Sequence, residues 1–317
     1  MVSGAPQPSY TKTRHTATYP AINPELPALS NAGKVVLLTG ASGGIGRAAA
    51  VSFARSKPKA LILLGRRAEE LQKTAELVRS AAAGPDAAVV VVETHAVDLR
   101  QPAAVRAVTD AAARSFGGID VLAHCAGVLA PVQRLLDTDP ATLLAGYETT
   151  LVGGLAVAQA VLLSNGPEAA RPLTFLNVTT AGVLFPAFPG MGAYVSSKMA
   201  AVKLLDALAG ENPHVRLTHV HPGFLPTAMS AELAKTTKLP FDYDDISLPA
   251  DFLVWAASSE ADFLRGKIVF AAWDVDELKA RRQQIAGSPE RPGSGELHVG
   301  FVGFPRYIGE MALPGTS

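Results

Sequence analysis

Residues 34–46 read Lys34-Val-Val-Leu-Leu-Thr-Gly-Ala-Ser-Gly-Gly-Ile-Gly46, and this stretch decides the fold. The apolar run 35–38 predicts a buried strand, and a helical pattern rich in alanine follows the glycines. Gly40, Gly44 and Gly46 have a G-x-x-x-G-x-G spacing, which differs from G-x-G-x-x-G. A glycine turn between a strand and a helix N-terminus favours an anion, because free N–H groups and the helix dipole face it. We therefore expect a phosphate-binding loop here, with an ordinary tight turn as the alternative.

The rest of the chain alternates short apolar runs with longer amphipathic ones. Further strands are predicted at residues 60–64, 88–92, 121–123, 173–178, 215–221 and 267–270. Helices are predicted up to residue 57 and at 68–82, 103–116, 140–163, 193–209, 249–257 and 274–284. Fully apolar runs separated by helices are typical of parallel strands that are covered on both faces. The chain is therefore predicted to be a single α/β domain with a doubly wound, Rossmann-like parallel sheet and helices on both faces.

Segments outside this alternation set the predicted domain boundaries. Residues 1–32 contain five prolines and are predicted to form an extended N-terminal arm, which wraps over the domain or is partly disordered. The dinucleotide-binding and catalytic domain is predicted to cover 33–286. Within it, the periodicity lapses at about 223–248, which indicates a lid or binding loop. Residues 287–317 are predicted to form a turn-rich C-terminal tail.

Composition excludes several classes of function. The formal net charge is zero at neutral pH, so there is no basic field to hold nucleic acid or an anionic membrane. The single cysteine, Cys125, rules out an internal disulfide and a cysteine-based zinc site, and no metal is predicted. The chain lacks a run of about 18 apolar residues and an N-terminal signal-peptide pattern. A cytoplasmic protein without a membrane span is therefore expected.

Two arginines follow the second predicted strand, in Gly65-Arg66-Arg67. In dinucleotide sites an acidic residue at this place binds the ribose 2′-hydroxyl of NAD, whereas an arginine suits the 2′-phosphate of NADP. A guanidinium can bind phosphate through two parallel hydrogen bonds. NADP is therefore predicted as the cofactor, with NAD as the alternative. Two solvated arginines at a helix start are the structural alternative, which applies to Arg67 more than to Arg66.

Tyr194 and Lys198 stand four residues apart at the start of a predicted helix, in Tyr194-Val-Ser-Ser-Lys198. Residues at this spacing lie on one helical face, so the phenol and the ammonium can reach one pocket. The ammonium and a positively charged nicotinamide ring are together expected to lower the pKa of the phenol. The phenol can then act as a general acid in reduction and as a base in oxidation. The alternative is a surface lysine beside a half-buried tyrosine.

Threonines end the strand predicted at 173–178, in Leu176-Asn-Val-Thr-Thr180. The hydroxyl of Thr180 can hydrogen-bond a substrate oxygen and hold it against the phenol of Tyr194. A strand-end threonine that only satisfies backbone groups is the alternative. This motif is therefore predicted to orient the substrate.

Together these motifs resemble the short-chain dehydrogenase/reductase family over about residues 34–272. Residues 39–46 match its cofactor loop, Asp98-Leu99 its adenine-contacting pair, and Pro222-Gly-Phe-Leu-Pro-Thr227 the segment that contacts the nicotinamide carboxamide. The resemblance implies that Tyr194, Lys198 and Thr180 are catalytic and that the lysine also holds the nicotinamide ribose. The predicted cofactor-binding residues are Gly40, Ser42, Gly43, Gly44, Ile45, Gly46, Arg66, Arg67, Asp98, Leu99, Ala126, Gly127, Tyr194, Lys198, Pro222, Gly223 and Thr227. The arm and residues 273–277 are similar to fungal members associated with secondary metabolism.

The chain departs from the family pattern at three places. Thr180 replaces a serine but keeps the hydroxyl, and we expect this to be tolerated. Thr150, the fourth predicted catalytic residue, replaces an asparagine that in the family helps to hold a water for proton supply, so proton resupply is expected to be slower or to use another route. His124 and Cys125 replace two asparagines beneath the cofactor. His124 is interpreted as a satisfied core histidine, with a proton carrier as the alternative.

The sequence therefore predicts an NADP(H)-dependent oxidoreductase that transfers a hydride between nicotinamide and a ketone or alcohol carbon. Pocket walls are predicted at residues 183–188 and 224–241, where the apolar side chains suit an apolar small molecule such as an aromatic or polyketide-like compound. The alternative is an NADP(H)-binding but redox-silent isomerase, cyclase or regulatory protein on the same fold. A homodimer or homotetramer that pairs through the helices at 140–163 and 193–209 is usual in the family and is expected here.

Overall fold

A computed structural model of the chain describes residues 9–83, 90–166, 171–185, 189–235, 242–288 and 295–300. The strands in these residues are β1 Val35–Thr39, β2 Ala60–Gly65, β3 Val91–Ala96, β4 Val121–His124, β5 Leu173–Val178, β6 Val215–His221 and β7 Lys267–Phe270. They form one parallel sheet in the order β3-β2-β1-β4-β5-β6-β7. The strand order reverses between β1 and β4, which opens a crevice at their carboxyl ends. The predicted fold class is confirmed.

Helices cover both faces of the sheet. They are α1 Gly44–Arg55, α2 Ala68–Ala81, α3 Pro102–Phe116, α4 Pro140–Tyr147, α5 Gly153–Ser164, α6 Gly192–Glu211, α7 Ala228–Ala234, α8 Ser247–Ala257, α9 Val275–Ala280 and α10 Arg282–Ala286. Phe53 of α1 and Trp255 of α8 are fully buried in the core on one face. Val105 of α3, Val157 of α5 and Leu205 of α6 are buried in the core on the other face. The sheet is therefore buried on both sides, as its continuous apolar strands require.

The third strand differs most from its prediction. It was expected at residues 88–92, of which 88 and 89 lie outside the described residues, whereas β3 runs to Ala96. Among the described strands β3 pairs with β2 alone, at the edge of the sheet, and its residues are half-buried or exposed. An edge strand has no need of a continuous apolar run, and the apolar pattern therefore gave the wrong bounds.

The long helix predicted at 140–163 is not uniform. α4 and α5 are joined by a π-helical turn, Glu148–Val152, that contains the buried Thr150. A π turn inserts one residue into the helix. Because this helix is apolar around most of its circumference, its periodicity does not reveal such an insertion. The turn occurs at the predicted position of a catalytic residue.

This same helix, Pro140–Ser164, is long and apolar enough to cross a membrane by length and composition alone. It packs against α3 and α6 in the helical layer on one face of the sheet. A core helix of a globular domain has the same length and composition, so these two properties carry no membrane assignment.

Two further segments differ from their predictions. The irregular segment predicted before residue 248 contains α7, which Thr227 caps at its N-terminus. The helix predicted at 274–284 is two short helices, α9 and α10, because Arg281 between them leaves the helical region with φ −104° and ψ 15°. Neither change alters the sheet.

The described part of the N-terminal arm, residues 9–32, wraps over the domain. Ile22 and Leu29 end two short 3-10 turns that begin at prolines, and both side chains are fully buried in the same core as Phe53. The wrapped arm is thus the alternative that the structure supports for these residues. The boundary at residue 32 stays a prediction.

Candidate active site

Two adjoining cavities lie at the carboxyl ends of the strands. The glycine-loop cavity, of about 420 Å³, is lined by the loop after β1 and by residues that follow β2, β3 and β4. The tyrosine cavity, of about 150 Å³, is lined by residues that follow β5 and β6 and by the start of α6. Five residues line both cavities: Ile45, Cys125, Gly127, Thr227 and Met229. A ligand can therefore run from one cavity into the other.

Backbone geometry shapes the glycine loop. Gly40 has φ +69°, and a Cβ there would lie 2.8 Å from the Ala126 nitrogen. A Cβ on Gly46 would lie 2.4 Å from the Gly40 oxygen, so only glycine fits at either position. α1 begins at Gly44, and no side chain caps its N-terminus. The N–H groups of its first turn therefore face the cavity without a side-chain acceptor, as an anion site requires.

Both predicted arginines line the glycine-loop cavity. Arg67 donates to the Ser42 oxygen at 3.0 Å and so holds the glycine turn. Arg66 and Arg67 are both exposed, and this contact gives Arg67 a backbone partner on the glycine turn. The positive charge of Arg66 contributes to lowering the pKa of Asp98 to about 2, a shift caused mainly by hydrogen bonds from Arg100. The part of the cavity that Arg66 and Arg67 line is therefore cationic, and the carboxylate beside it is paired with Arg100.

Lys198 is buried and faces the tyrosine cavity. Its Nζ donates to the Val178 oxygen at 3.0 Å, which ties α6 to the end of β5. A Cβ on Gly127 would lie 3.1 Å from Nζ, so glycine at 127 leaves room for the ammonium. Burial lowers the pKa of Lys198 to about 8. Lys198 is thus a cation held at fixed position with little water around it.

Tyr194 and Thr180 line the same cavity as Lys198. Burial raises the pKa of Tyr194 to about 12, the opposite direction from the predicted lowering, so the groups of this chain alone keep the phenol protonated. Burial alone causes this shift in the pKa of Tyr194, because it disfavours the charged phenolate. Thr180 Oγ accepts from the Gly182 nitrogen at 3.3 Å, which leaves its own proton free to be donated.

Thr150 is the one predicted catalytic residue that lines neither cavity. It is buried in the π-helical turn, and its hydroxyl has no hydrogen-bond partner among the described residues. Its neighbour Thr149 lines the glycine-loop cavity instead. The role predicted for Thr150 stays a prediction.

His124 is a satisfied core histidine in this structure. It is buried, and its Nδ1 lies 2.8 Å from the hydroxyl of Thr39, which also accepts from the Ala126 nitrogen. A Cβ on Gly154 would lie 3.3 Å from Nε2, so glycine at 154 accommodates the ring. Burial lowers the pKa of His124 to about 3, which argues against a proton carrier.

The remaining predicted cofactor residues follow β6. Pro222 and Gly223 line the tyrosine cavity, and Thr227 lines both cavities. Thr227 and Ser230 form a capping box at the start of α7. All the residues predicted to bind the cofactor therefore border one cavity or the other.

Sequence reasoning missed His221 and misplaced part of the pocket wall. His221 lines the tyrosine cavity, and its Nδ1 accepts from the Ala181 nitrogen at 3.1 Å. The only sequence signal for it was its place directly before Pro222. Phe224 and Met229 line the cavity as predicted, and Met191 lines it as well, whereas Leu184 and Phe185 are exposed and do not. Residues 186–188 of the predicted wall lie outside the described residues.

The residues present fit a dinucleotide. Its phosphates would lie against the glycine turn, where the first turn of α1 has no side-chain cap. The 2′ end would lie against Arg66 and Arg67, and the nicotinamide end would face Lys198 and Tyr194. In the described residues no group of His, Cys, Asp and Glu side chains could hold a metal ion.

Comparison with known proteins identifies the family of the chain. The family model for short chain dehydrogenases matches residues 34–238. A short chain dehydrogenase of Monascus purpureus is 33% identical over 279 residues, which cover 86% of this chain and 91% of that protein. A short chain dehydrogenase/reductase of Claviceps purpurea is 32% identical over 284 residues, which cover 88% of this chain and 91% of that protein.

Solved structures show the same fold. A short chain dehydrogenase from Mycobacterium paratuberculosis, bound to NAD, has a TM-score of 0.66 and 24% identity, and the match covers 78% of this chain and 99% of that one. An alcohol dehydrogenase from Thermococcus sibiricus, complexed with 5-hydroxy-NADP, has a TM-score of 0.62 and 27% identity, with 75% and 95% covered. These structural relatives thus include complexes with either type of cofactor.

Proposed function

This chain belongs to the short-chain dehydrogenase/reductase family, and within it we propose an NADP(H)-dependent carbonyl reductase or alcohol dehydrogenase. One observation carries the proposal. Tyr194, Lys198 and Thr180 meet in the tyrosine cavity, which joins the glycine-loop cavity directly. A dinucleotide held by the glycine loop would present its nicotinamide to these three side chains.

When bound, the nicotinamide supplies the hydride in reduction and accepts it in oxidation. Tyr194 handles the proton. The chain's own groups hold its phenol in the protonated form, with a pKa of about 12, so in the reducing direction it can donate to the developing alkoxide. Thr180 has a free hydroxyl proton with which to orient the same oxygen.

Lys198 acts on Tyr194 through charge. Its ammonium favours the phenolate that remains after proton transfer, because a nearby opposite charge stabilises the ionised form. The bond from Nζ to the Val178 oxygen fixes the ammonium at the end of β5, two residues before Thr180. The low-dielectric surroundings strengthen this effect in the transition state, where the negative charge develops.

The preference for NADP rests on Arg66 and Arg67 beside a glycine at position 65. Replacement of Arg66 by Gln should raise the KM for NADPH about 10- to 100-fold, since a hydrogen bond to a charged group contributes roughly 1.5–3 kcal/mol. The KM for NADH should change little. Arg79→Gln, on the same chain segment but outside the cavity, is the matched control. Equal KM values for NADPH and NADH in the wild type would remove the preference from the proposal.

The substrate is proposed to be an apolar small molecule with one ring near the reacting carbon. The wall of the tyrosine cavity is largely apolar and includes Leu129, Met191, Phe224, Met229 and Leu233. A cavity of about 150 Å³ is the size that holds a single benzene ring, so the rest of a larger aromatic or polyketide-like substrate would extend outside it. A role in secondary metabolism is part of this proposal, supported by the fungal relatives.

The test is a panel of ketones and aldehydes with NADPH, followed through the absorbance of NADPH. Turnover that prefers aryl ketones to short aliphatic ones is the expected result. NADPH binding without turnover across the panel would instead favour the redox-silent alternative. Loss of turnover in Tyr194→Phe would attach the activity to this site.

A homodimer or homotetramer is proposed through the helix pair α4–α5. Leu144, Val152 and Leu163 are large apolar side chains exposed along it, which suits burial against a second copy. Light scattering coupled to size exclusion measures the mass in solution, and Leu144→Glu should shift it towards the monomer. The cytoplasmic location stays a prediction.

A further inference from the structure

A buried carboxylate lies behind the turn that follows β6. Asp244 is 3% exposed, and its Oδ2 accepts from the Phe224 nitrogen at 3.0 Å. The Asp244 nitrogen in turn donates to the Phe224 oxygen at 2.6 Å. Both backbone groups of Phe224 are therefore hydrogen-bonded to this one residue, which stands twenty positions later in the chain.

The turn itself has little freedom. Gly223 has φ +94°, and a Cβ there would lie 2.5 Å from Asp244 Oδ2. Gly223 and Phe224 line the tyrosine cavity, and the Phe224 ring stacks on Tyr243 with centroids 5.9 Å apart. The carboxylate thus packs directly against the outside of a turn whose inside faces the site.

The N-terminal arm supplies the countercharge. Arg14 Nη2 lies 3.4 Å from Asp244 Oδ1, in an ion pair in which the carboxylate is almost fully buried. Burial raises the pKa of Asp244, while Arg14 and the Phe224 amide act in the opposite direction. The charge of Arg14 also contributes to lowering the pKa of His221, in the wall of the same cavity, after the larger effect of burial.

Backbone contacts hold the arm at this place. The Asp245 nitrogen donates to the Thr16 oxygen at 2.7 Å, and the His15 nitrogen donates to the Ala272 oxygen at 2.8 Å. Arg14 forms an isolated antiparallel bridge with Trp273. Arg14 is therefore fixed between the segment after β7 and the segment that carries Asp244.

We propose that Asp244 is a positioning residue for the Gly223–Phe224 turn, and that Arg14 of the N-terminal arm holds its carboxylate in place. The arm, which precedes the first strand, then supports the wall of the tyrosine cavity through Arg14. The kinetic part of this inference rests on the proposed function, whereas the structural part does not.

Amide hydrogen exchange in the ligand-free protein tests the structural part. Asp244→Ala should speed exchange of the Phe224 amide about tenfold or more, because an amide that loses a charged acceptor loses most of its protection. Arg14→Gln should also speed exchange of this amide, but to a smaller extent. Asp244→Asn keeps an acceptor, so its exchange rate should lie between those of the wild type and Asp244→Ala. Arg106→Gln, which removes an arginine from the surface pair with Asp110, should leave this amide unchanged.

Kinetics test the consequence for the site. Asp244→Ala should raise the KM for an aryl ketone about tenfold, because Phe224 lines the tyrosine cavity. The Kd for NADPH should rise by a smaller factor, because Gly223 is only one of the residues predicted to bind the cofactor. Asp244→Asn should recover most of the loss, whereas a purely structural defect would lower the amount of folded enzyme and leave KM unchanged.

An unchanged exchange rate of the Phe224 amide in Asp244→Ala would overturn the inference. It would also be overturned if Arg106→Gln sped the exchange of this amide as much as Arg14→Gln does. If the wild type turned over no carbonyl compound, the proposed function would fail. The exchange experiment would still decide whether Asp244 and Arg14 hold the turn.

Discussion

The glycine-loop cavity and the tyrosine cavity lie side by side at the same edge of the sheet, yet different parts of the chain build their walls. The first is shaped by backbone within a few residues of the strand ends, as at Gly40 and Gly46, where no Cβ fits. The second depends on side chains from distant segments. Arg14 and Asp244, which support its wall, are separated by 230 positions. Short motifs at the strand ends can therefore indicate the first cavity, whereas only the folded chain reveals the supports of the second.

The two cavities also differ in electrostatics. Arginines and an uncapped helix N-terminus face the glycine-loop cavity. In the tyrosine cavity, burial lowers the pKa of Lys198 to about 8 and raises that of Tyr194 to about 12. The first arrangement favours an anion, and the second places groups with shifted pKa values around a small apolar space.

Replacement of Tyr194 by Phe gives the largest expected effect and separates the two cavities. A general acid contributes typically about 10²–10⁴ in rate, so kcat should fall by this factor. The Kd for NADPH, measured by its fluorescence, should stay within about twofold, because the phosphates bind at the other cavity. Tyr147→Phe, outside both cavities, serves as the control. Turnover close to that of the wild type would exclude Tyr194 as the proton donor.

Replacement of Gly46 by Ala tests the glycine-loop cavity instead of the tyrosine cavity. The new Cβ would lie 2.4 Å from the Gly40 oxygen, which is backbone and cannot turn away. We expect a loss of about 1–3 kcal/mol in the free energy of unfolding, measured with denaturant, together with weaker NADPH binding.

Gly210→Ala is the matched control for this experiment, since a Cβ there meets nothing within 4 Å and the residue lies in α6. Alanine should leave stability unchanged or raise it by up to about 1 kcal/mol, through its higher helix propensity. Equal stability of the two variants would show that the glycine loop is not shaped by the close approach described above.

The lowered pKa of Lys198 makes stability depend on pH. Between the folded pKa of about 8 and the ordinary value of 10.5, the unfolded chain binds more protons at this residue, so the free energy of unfolding should rise with pH. Between pH 8 and about 10, the free energy of unfolding of the wild type should rise relative to that of Lys198→Met by up to about 1.4 kcal/mol per pH unit. Tyrosines with raised pKa values oppose this above pH 10. Lys203 lies on the exposed side of α6, so the free energy of unfolding of Lys203→Met should have the same pH dependence as that of the wild type. If Lys198→Met also had the pH dependence of the wild type, the burial of the Lys198 charge would be contradicted.

The sequence predicts the sheet well wherever strands are buried on both faces. The runs at 35–38 and 60–64 lie inside β1 and β2, because a central strand must be apolar throughout. β3 was placed too early, since it is an edge strand of the sheet that the described residues form and need not be apolar throughout. The π-helical turn around Thr150 cannot be predicted from the hydrophobic pattern, because the helix is apolar around most of its circumference. The Thr150 hydroxyl, which has no hydrogen-bond partner among the described residues, can be identified only from the structure.

The site follows the same division. Every residue predicted to bind the cofactor borders one of the two cavities, because motifs at strand ends meet at one edge of a parallel sheet. The supports of the turn after β6 were not predicted. Asp244 lies in a segment with no periodicity, and nothing in the spacing of the chain links it to Arg14. His221 was likewise missed, since a single histidine at a strand end has no local pattern that marks it.

The smallest expected effect sharpens the account of Thr180. Its hydroxyl accepts from the Gly182 nitrogen and keeps a free proton, and serine can do the same with a less restricted χ1. Thr180→Ser should therefore change kcat/KM by no more than about threefold, or ~0.6 kcal/mol. Thr180→Ala removes the donor and should cost about 10²-fold or more if the hydroxyl binds the reacting oxygen. Comparable activity of the Ala and Ser variants would mean that the threonine only caps the turn at Ala181–Val183, and that the oxygen is held by another donor in the tyrosine cavity.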